Sequence, residues 1–181
     1  ALRDSLFQPD GWFHCRAEIL KETGDVAGVD AMRDSVLHLL TTPGGTSAMS
    51  ADLLRMSILS LSSEAHGDWG TAADSLQAWL TRAHPMWDDK HDTLLRLAND
   101  LLRAGRFEDA LAATGQVLAD NPRQARALCL RARTLDKAGR GAEALESWRR
   151  TAESLDRADP GESMREEAAR RLALAAAPSA P

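Results

Sequence analysis

The chain has 181 residues, 44% of them hydrophobic and 27% charged, with a formal net charge of −5 at neutral pH. That length and apolar content suffice for a continuous core, while no apolar run reaches the roughly 18–20 residues that a membrane-spanning helix needs. The acidic balance argues against nucleic acid as a partner, and Cys15 and Cys129, toward opposite ends of the chain, read as small apolar residues rather than a disulfide.

The first predicted element pair runs over residues 10–40. Phe13, Arg16, Ala17 and Leu20 are spaced three and four apart, so they share one helix face, and Gly24 separates them from a second helix carrying Val26 and Val29. The turn-rich stretch Thr41-Thr42-Pro43-Gly44-Gly45-Thr46-Ser47 follows and is expected to leave the helical packing. Residues 51–83 repeat the arrangement with Met56, Leu59 and Ser60, then Gly67, then Trp69, Ala72 and Leu76, and Pro85 lies beyond. Residues 90–122 give a stronger version. Leu94, Leu97, Ala98 and Leu101 form one face, Gly105 ends the helix, and Glu108 and Asp109 place acidic charge in the first turn of the next. Pro122 closes this unit, and residues 123–157 repeat it with Leu128, Ala132 and Leu135, Gly139, Ala144 and Trp148. Leu94, Ala98, Leu101, Gly105 and Ala110 each have an identical residue 34 positions later, a period that marks stacked helical hairpins. Asp159-Pro160-Gly161 breaks the chain before a final helix at 162–176, with Met164, Ala168, Leu172 and Ala175 on one side and Arg165, Glu166 and Arg170 outside. Such a helix caps the last apolar surface of a repeat array. Residues 177–181 have the composition of a linker.

These residues resemble the tetratricopeptide repeat (TPR) family, over most of the chain from about Asp10 to Asp156. Arg16, Ser63, Thr114 and Gly141 depart from its pattern. The resemblance implies an all-α solenoid of four helix-turn-helix hairpins plus the capping helix, in one domain over residues 1–176. It also implies a superhelix whose concave groove is lined by the first helix of each hairpin. On that geometry the groove presents Leu54, Leu61, Leu95 and Leu102, running into the cationic pair Arg126 and Arg133. His14, Glu18, Lys21, Ser57, Glu64, Asp92, Cys129 and Asp136 fall at the other inner positions. Asn99 stands at a site where the family often holds a peptide backbone, and an amide can both donate to and accept from main chain. The family's two-carboxylate clamp for chaperone tails is incomplete, because Leu95 and Leu130 replace a lysine and an asparagine.

Charge is divided along the chain. Residues 1–122 carry 10 basic and 18 acidic side chains, whereas residues 123–181 carry 12 and 9. The basic part reads first as a solvated helix face and otherwise suits an acidic partner or phosphate groups, and the lack of aromatics among these arginines speaks against RNA. Chemistry has little support: there is no phosphate-binding glycine loop, no HExxH and no CxxC pair. The cluster His84, Asp88, Asp89, His91 and Asp92 reads as a capped helix start rather than a metal site, and adjacent His14 and Cys15 point about 100° apart on a helix. No cofactor or metal is therefore expected. The chain begins without methionine or a visible signal peptide, which suits an excised domain, a processed chain or a trimmed one. Arginine outnumbers lysine 19 to 3, as in the codon usage of a GC-rich bacterial genome, and a cytoplasmic location is favoured over a periplasmic one.

The reading that follows is a non-catalytic interaction scaffold, monomeric or weakly dimeric, that binds an acidic amphipathic protein segment in its groove. Its alternatives are a self-association module and a regulatory domain of a larger enzyme or envelope assembly.

Overall fold

In a computed structural model, residues 9–41, 48–82, 90–156 and 162–176 are described. Among them are nine helices and no strand, in the order α1 (Pro9–Glu22), α2 (Val26–Thr41), α3 (Ala48–Ala65), α4 (Trp69–Arg82), α5 (Lys90–Arg103), α6 (Phe107–Asp120), α7 (Ala125–Lys137), α8 (Gly141–Ser154) and α9 (Ser163–Ala176). The predicted all-α class, with four hairpins and a ninth helix, is what the chain adopts.

Each hairpin turns on one of the four spaced glycines. At Gly105, φ is +77°, a left-handed conformation that costs a residue with a Cβ but not glycine. There the Gly105 N–H donates to the Leu102 carbonyl at 3.2 Å and the Arg106 N–H reaches back to Leu101 at 2.8 Å. These two bonds satisfy carbonyls that the helix end would otherwise leave open. The same pair of bonds recurs around Gly24, Gly67 and Gly139, so one local device sets all four turns.

The second helices start in two ways. After Gly24 and Gly67 comes an aspartate: Asp25 Oδ1 accepts from the Gly28 N–H at 2.9 Å, and Asp68 Oδ1 accepts from the Thr71 N–H at 3.2 Å. Both act as helix caps. After Gly105 and Gly139 comes an arginine with no side-chain cap. Arg106 instead donates forward to Asp109, and Arg140 to Glu143 and to Glu108 of the preceding hairpin. Pro122 lies in the turn before α7, and Gln124 caps that helix by accepting from the Ala127 N–H at 3.0 Å.

The chain divides into two compact units, Ala1–Trp87 and Asp88–Pro181. In the first, α1 packs on α2 and α3, and α3 on α2 and α4. Its core includes Ala17, Met32, Val36, Leu54, Ile58 and Leu61. Where the apolar repeat pattern is weak, polar contacts join the helices. Lys21 of α1 binds Glu64 of α3, and Asp30 of α2 accepts from Ser62 and pairs with His66 at the end of α3. In the second unit, α5 packs on α6 and α7, α7 on α6, α8 and α9, and α9 also on α8. Its core includes Leu111, Cys129, Ala132, Leu135, Ala144, Trp148 and Ala168. The small Ala98, Ala132 and Ala168 are fully buried on α5, α7 and α9. Their size lets neighbouring helices approach closely.

Candidate partner-binding face

In the second unit, α5 and α7 are the first helices of consecutive hairpins. Because helical residues one turn apart share a face, burying Leu94, Leu97, Ala98 and Leu101 of α5 rotates Asp92, Asn99 and Leu102 toward another side. Asp92 is exposed, while Asn99 and Leu102 are half-buried. On α7 the corresponding residues are Arg126, which is exposed, and Arg133, which is half-buried. Four of the expected groove residues, Asn99, Leu102, Arg126 and Arg133, are therefore on accessible or partly accessible surface.

The expected leucine lining is different. Leu54 and Leu61 are 7% and 0% exposed and belong to the core of the first unit, against Ala17, Met32 and Val36. Leu95 is 1% exposed. An apolar side chain within reach of a neighbouring helix gains by leaving water, so these three are packing residues and not an open apolar groove. Glu64 and Cys129, expected at inner positions, are also buried.

Nor are the arginines waiting for charge. Arg126 Nη1 donates to Asp92 Oδ1 at 3.2 Å, between side chains that are both more than half exposed. An ion pair so open to water adds little to stability and exchanges readily. Arg133 is held more firmly. Its Nε donates to both carboxylate oxygens of Glu167 on α9 at 3.1 Å, and its Nη2 binds the same carboxylate. This forked contact keeps the Glu167 carboxyl below its ordinary range, although burial acts in the opposite direction. Arg171 of α9 lies 3.8 Å from Asp136 of α7 and 6.0 Å from the centre of the Trp148 ring, and the Trp148 Nε1–H donates to Asp136 at 2.9 Å.

Glu167, Arg171 and the Asp92 pairing are contributions that sequence reasoning missed. A signal was present: Asp92 and Arg126, and likewise Arg133 and Glu167, carry opposite charges 34 residues apart, which is the repeat period. Lys21 and Glu64 are 43 apart, matching the longer spacing of Gly24 and Gly67.

The remaining candidates are dispersed. His91 pairs with Asp120 at 2.9 Å, while His84, Asp88 and Asp89 lie outside the described residues, as do Trp87 and the side chains of Trp12 and His14. Among the described residues no group of three or more histidine, cysteine, aspartate or glutamate side chains is placed to hold a metal. Cys15 is exposed and Cys129 buried; burial pushes the Cys129 thiol up to about 11, so in the closed structure it is a poor nucleophile. No described helix is long and apolar enough to cross a membrane.

Comparison with solved structures finds similar folds in a TPR-like protein from Chlorobium tepidum TLS and in a MamA RS-1 double mutant. The first is 22% identical with a TM-score of 0.51, over 70% of this chain and 99% of that one. The second is 13% identical with a TM-score of 0.59, over 93% of each. No family model and no curated protein sequence matches the chain. At these identities the likeness establishes a TPR-like fold, and function has to be argued from the residues themselves.

Proposed function

We propose that this chain is a non-catalytic protein-interaction scaffold and that the α5/α7 face of its second unit binds an acidic segment of a partner protein. The observation that supports this reading best is the exposed Arg126–Asp92 pair beside half-buried Asn99 and Leu102. A partner carboxylate can replace Asp92 on Arg126 at small cost, the Asn99 amide suits an extended main chain, and Leu102 offers a limited apolar contact. Specificity then comes from charge placement more than from apolar area, since Leu54, Leu61 and Leu95 are committed to packing.

The test is partner capture followed by titration at two salt concentrations. Arg126→Ala is expected to weaken binding and to reduce its salt dependence, because attraction at an exposed face is screened by ions. Asn99→Ala is expected to weaken binding without a matching loss of thermal stability. If both variants bind as the parent does, while Glu146→Ala on α8 abolishes capture, the outer helices are the working surface instead.

A further inference from the structure

Of the fourteen residues in α9, Ala168 is the buried one, whereas thirteen-residue α7 contributes seven buried residues. The face α9 covers nonetheless belongs to a buried cluster of the second unit's core. Cys129, Leu135, Ala144 and Trp148 share one cluster with Ala168, and Met164 and Leu172 pack partly buried against it. Ionic contacts also hold the helix: Glu167 takes the fork of Arg133, and Arg171 lies near Asp136 and the Trp148 ring. Along α9 these contacts follow the order Met164, Glu167-Ala168, Arg171-Leu172. An acid and a base four apart thus flank a small residue, with an apolar residue at each end. Helix α7 reads them with complementary groups three apart, Arg133 and Asp136.

We propose that the α7/α8 surface is a helix-docking site and that α9 is its displaceable, self-supplied occupant. The external occupant is an amphipathic helical segment of the same chemistry, with a carboxylate for Arg133 and a guanidinium for Asp136 and the Trp148 face. This proposal rests on the scaffold reading but uses different residues from the Arg126 and Asn99 site. Charge complementarity selects the segment, because a helix lacking the carboxylate leaves Arg133 half-buried without its forked partner. The apolar strip is narrow, so the resident helix opens without unfolding the rest of the unit.

Cys129 reports the opening, since it lies in the cluster beneath α9 and is 1% exposed. With Cys15→Ser in the full chain, the rate at which an aromatic disulfide reagent modifies Cys129 is compared with the rate of global unfolding followed by circular dichroism. Modification is expected to outpace unfolding by at least roughly tenfold, as for local opening, and Glu167→Gln is expected to accelerate it further. A synthetic peptide of residues 162–176, added to the Glu167→Gln chain, is expected to bind and to protect Cys129. The same peptide carrying Glu167→Gln is expected to protect less. Leu172→Ala serves as a second loosening variant, and the parent chain alone already compares opening with unfolding. Modification no faster than global unfolding in the parent and both variants, or a peptide that neither binds nor protects, overturns the proposal. A loosened chain that dimerises by light scattering with Cys129 protected also overturns it, by making a second copy the occupant. Partner capture that depends on Arg126 and Asn99 survives any of these failures, so the two readings are separable.

Discussion

At the scale of single residues, the turns and the buried tryptophan carry the sharpest consequences. A Cβ built at Gly105 meets nothing within 4 Å, so the cost of Gly105→Ala comes from its left-handed backbone alone. Thermal or urea unfolding should show a loss of about 1–2 kcal/mol, with the helix content of the folded chain unchanged. Trp148 is fully buried and donates its indole N–H to Asp136. Trp148→Ala is expected to cost roughly 3–5 kcal/mol through the cavity it leaves. Trp148→Phe separates the polar part. It keeps most of the bulk but deprives Asp136 of a donor, and should cost about 1–2 kcal/mol because water still reaches that partly exposed carboxylate. Equal losses for the two variants would mean that the indole hydrogen bond, rather than packing, dominates.

At the scale of elements, α9 is the helix whose attachment should respond to acid. Glu167 has a folded pKa below its ordinary 4.5, through hydrogen bonding from Arg133. A depressed carboxylate contributes stability that is fully present above its unfolded value and is lost as pH falls through the folded value. Cys129 protection should therefore hold near neutrality and decline below about pH 4.5. The Glu167→Gln chain should be more open at neutrality and change less over the same range. Asp30, Asp68, Asp120 and Glu143 are also depressed, so overall melting retains an acid dependence when Glu167 is replaced. For Asp30, burial opposes the shift and hydrogen bonds from Ser62 and His66 outweigh it.

Legibility also differs by element. Helix identity and turn position were readable because they depend on local chemistry: apolar spacing of three and four, and glycine at a left-handed stop. Ala98 and Ala132 were readable because close approach of two helices selects a small residue at a fixed place in the period. The openness of a groove was not readable, since it depends on distances between helices that no one helix encodes. Leu54, Leu61 and Leu95 have the right register for an inner face, yet neighbouring packing covers them. The arginines were placed on surface, but reading them as available charge ignored the complementary residue one repeat away. Asn99 and Leu102 are half-buried, and the partner they would meet is tested by binding, not by the fold.

At the scale of the whole molecule, the exposed large apolar side chains among the described residues, Ile19, Leu39 and Leu174, lie on three different helices. Dispersed apolar groups of this kind are ordinary surface, so light scattering at micromolar concentration is expected to give a monomer mass. A stable dimer that Leu174→Asp dissociates would instead make the α8/α9 end, with its shallow apolar depression between Leu145, Leu172 and Ala175, an interface between copies. The chain would then be a self-association module rather than a scaffold for a foreign segment.

The ion pairs at matching repeat positions also bear on how such a chain can change its length. Lys21 and Glu64 each stand three residues before their hairpin's glycine, and Asp92 and Arg126 each stand thirteen before theirs. Each pair works because consecutive copies carry opposite signs at one position. Tandem duplication of the hairpin formed by α5 and α6 would set Asp92 beside another aspartate, and duplication of the next would set Arg126 beside another arginine. Like charges so placed repel. The copies therefore have an assigned order, and hairpins that share a fold are not interchangeable parts.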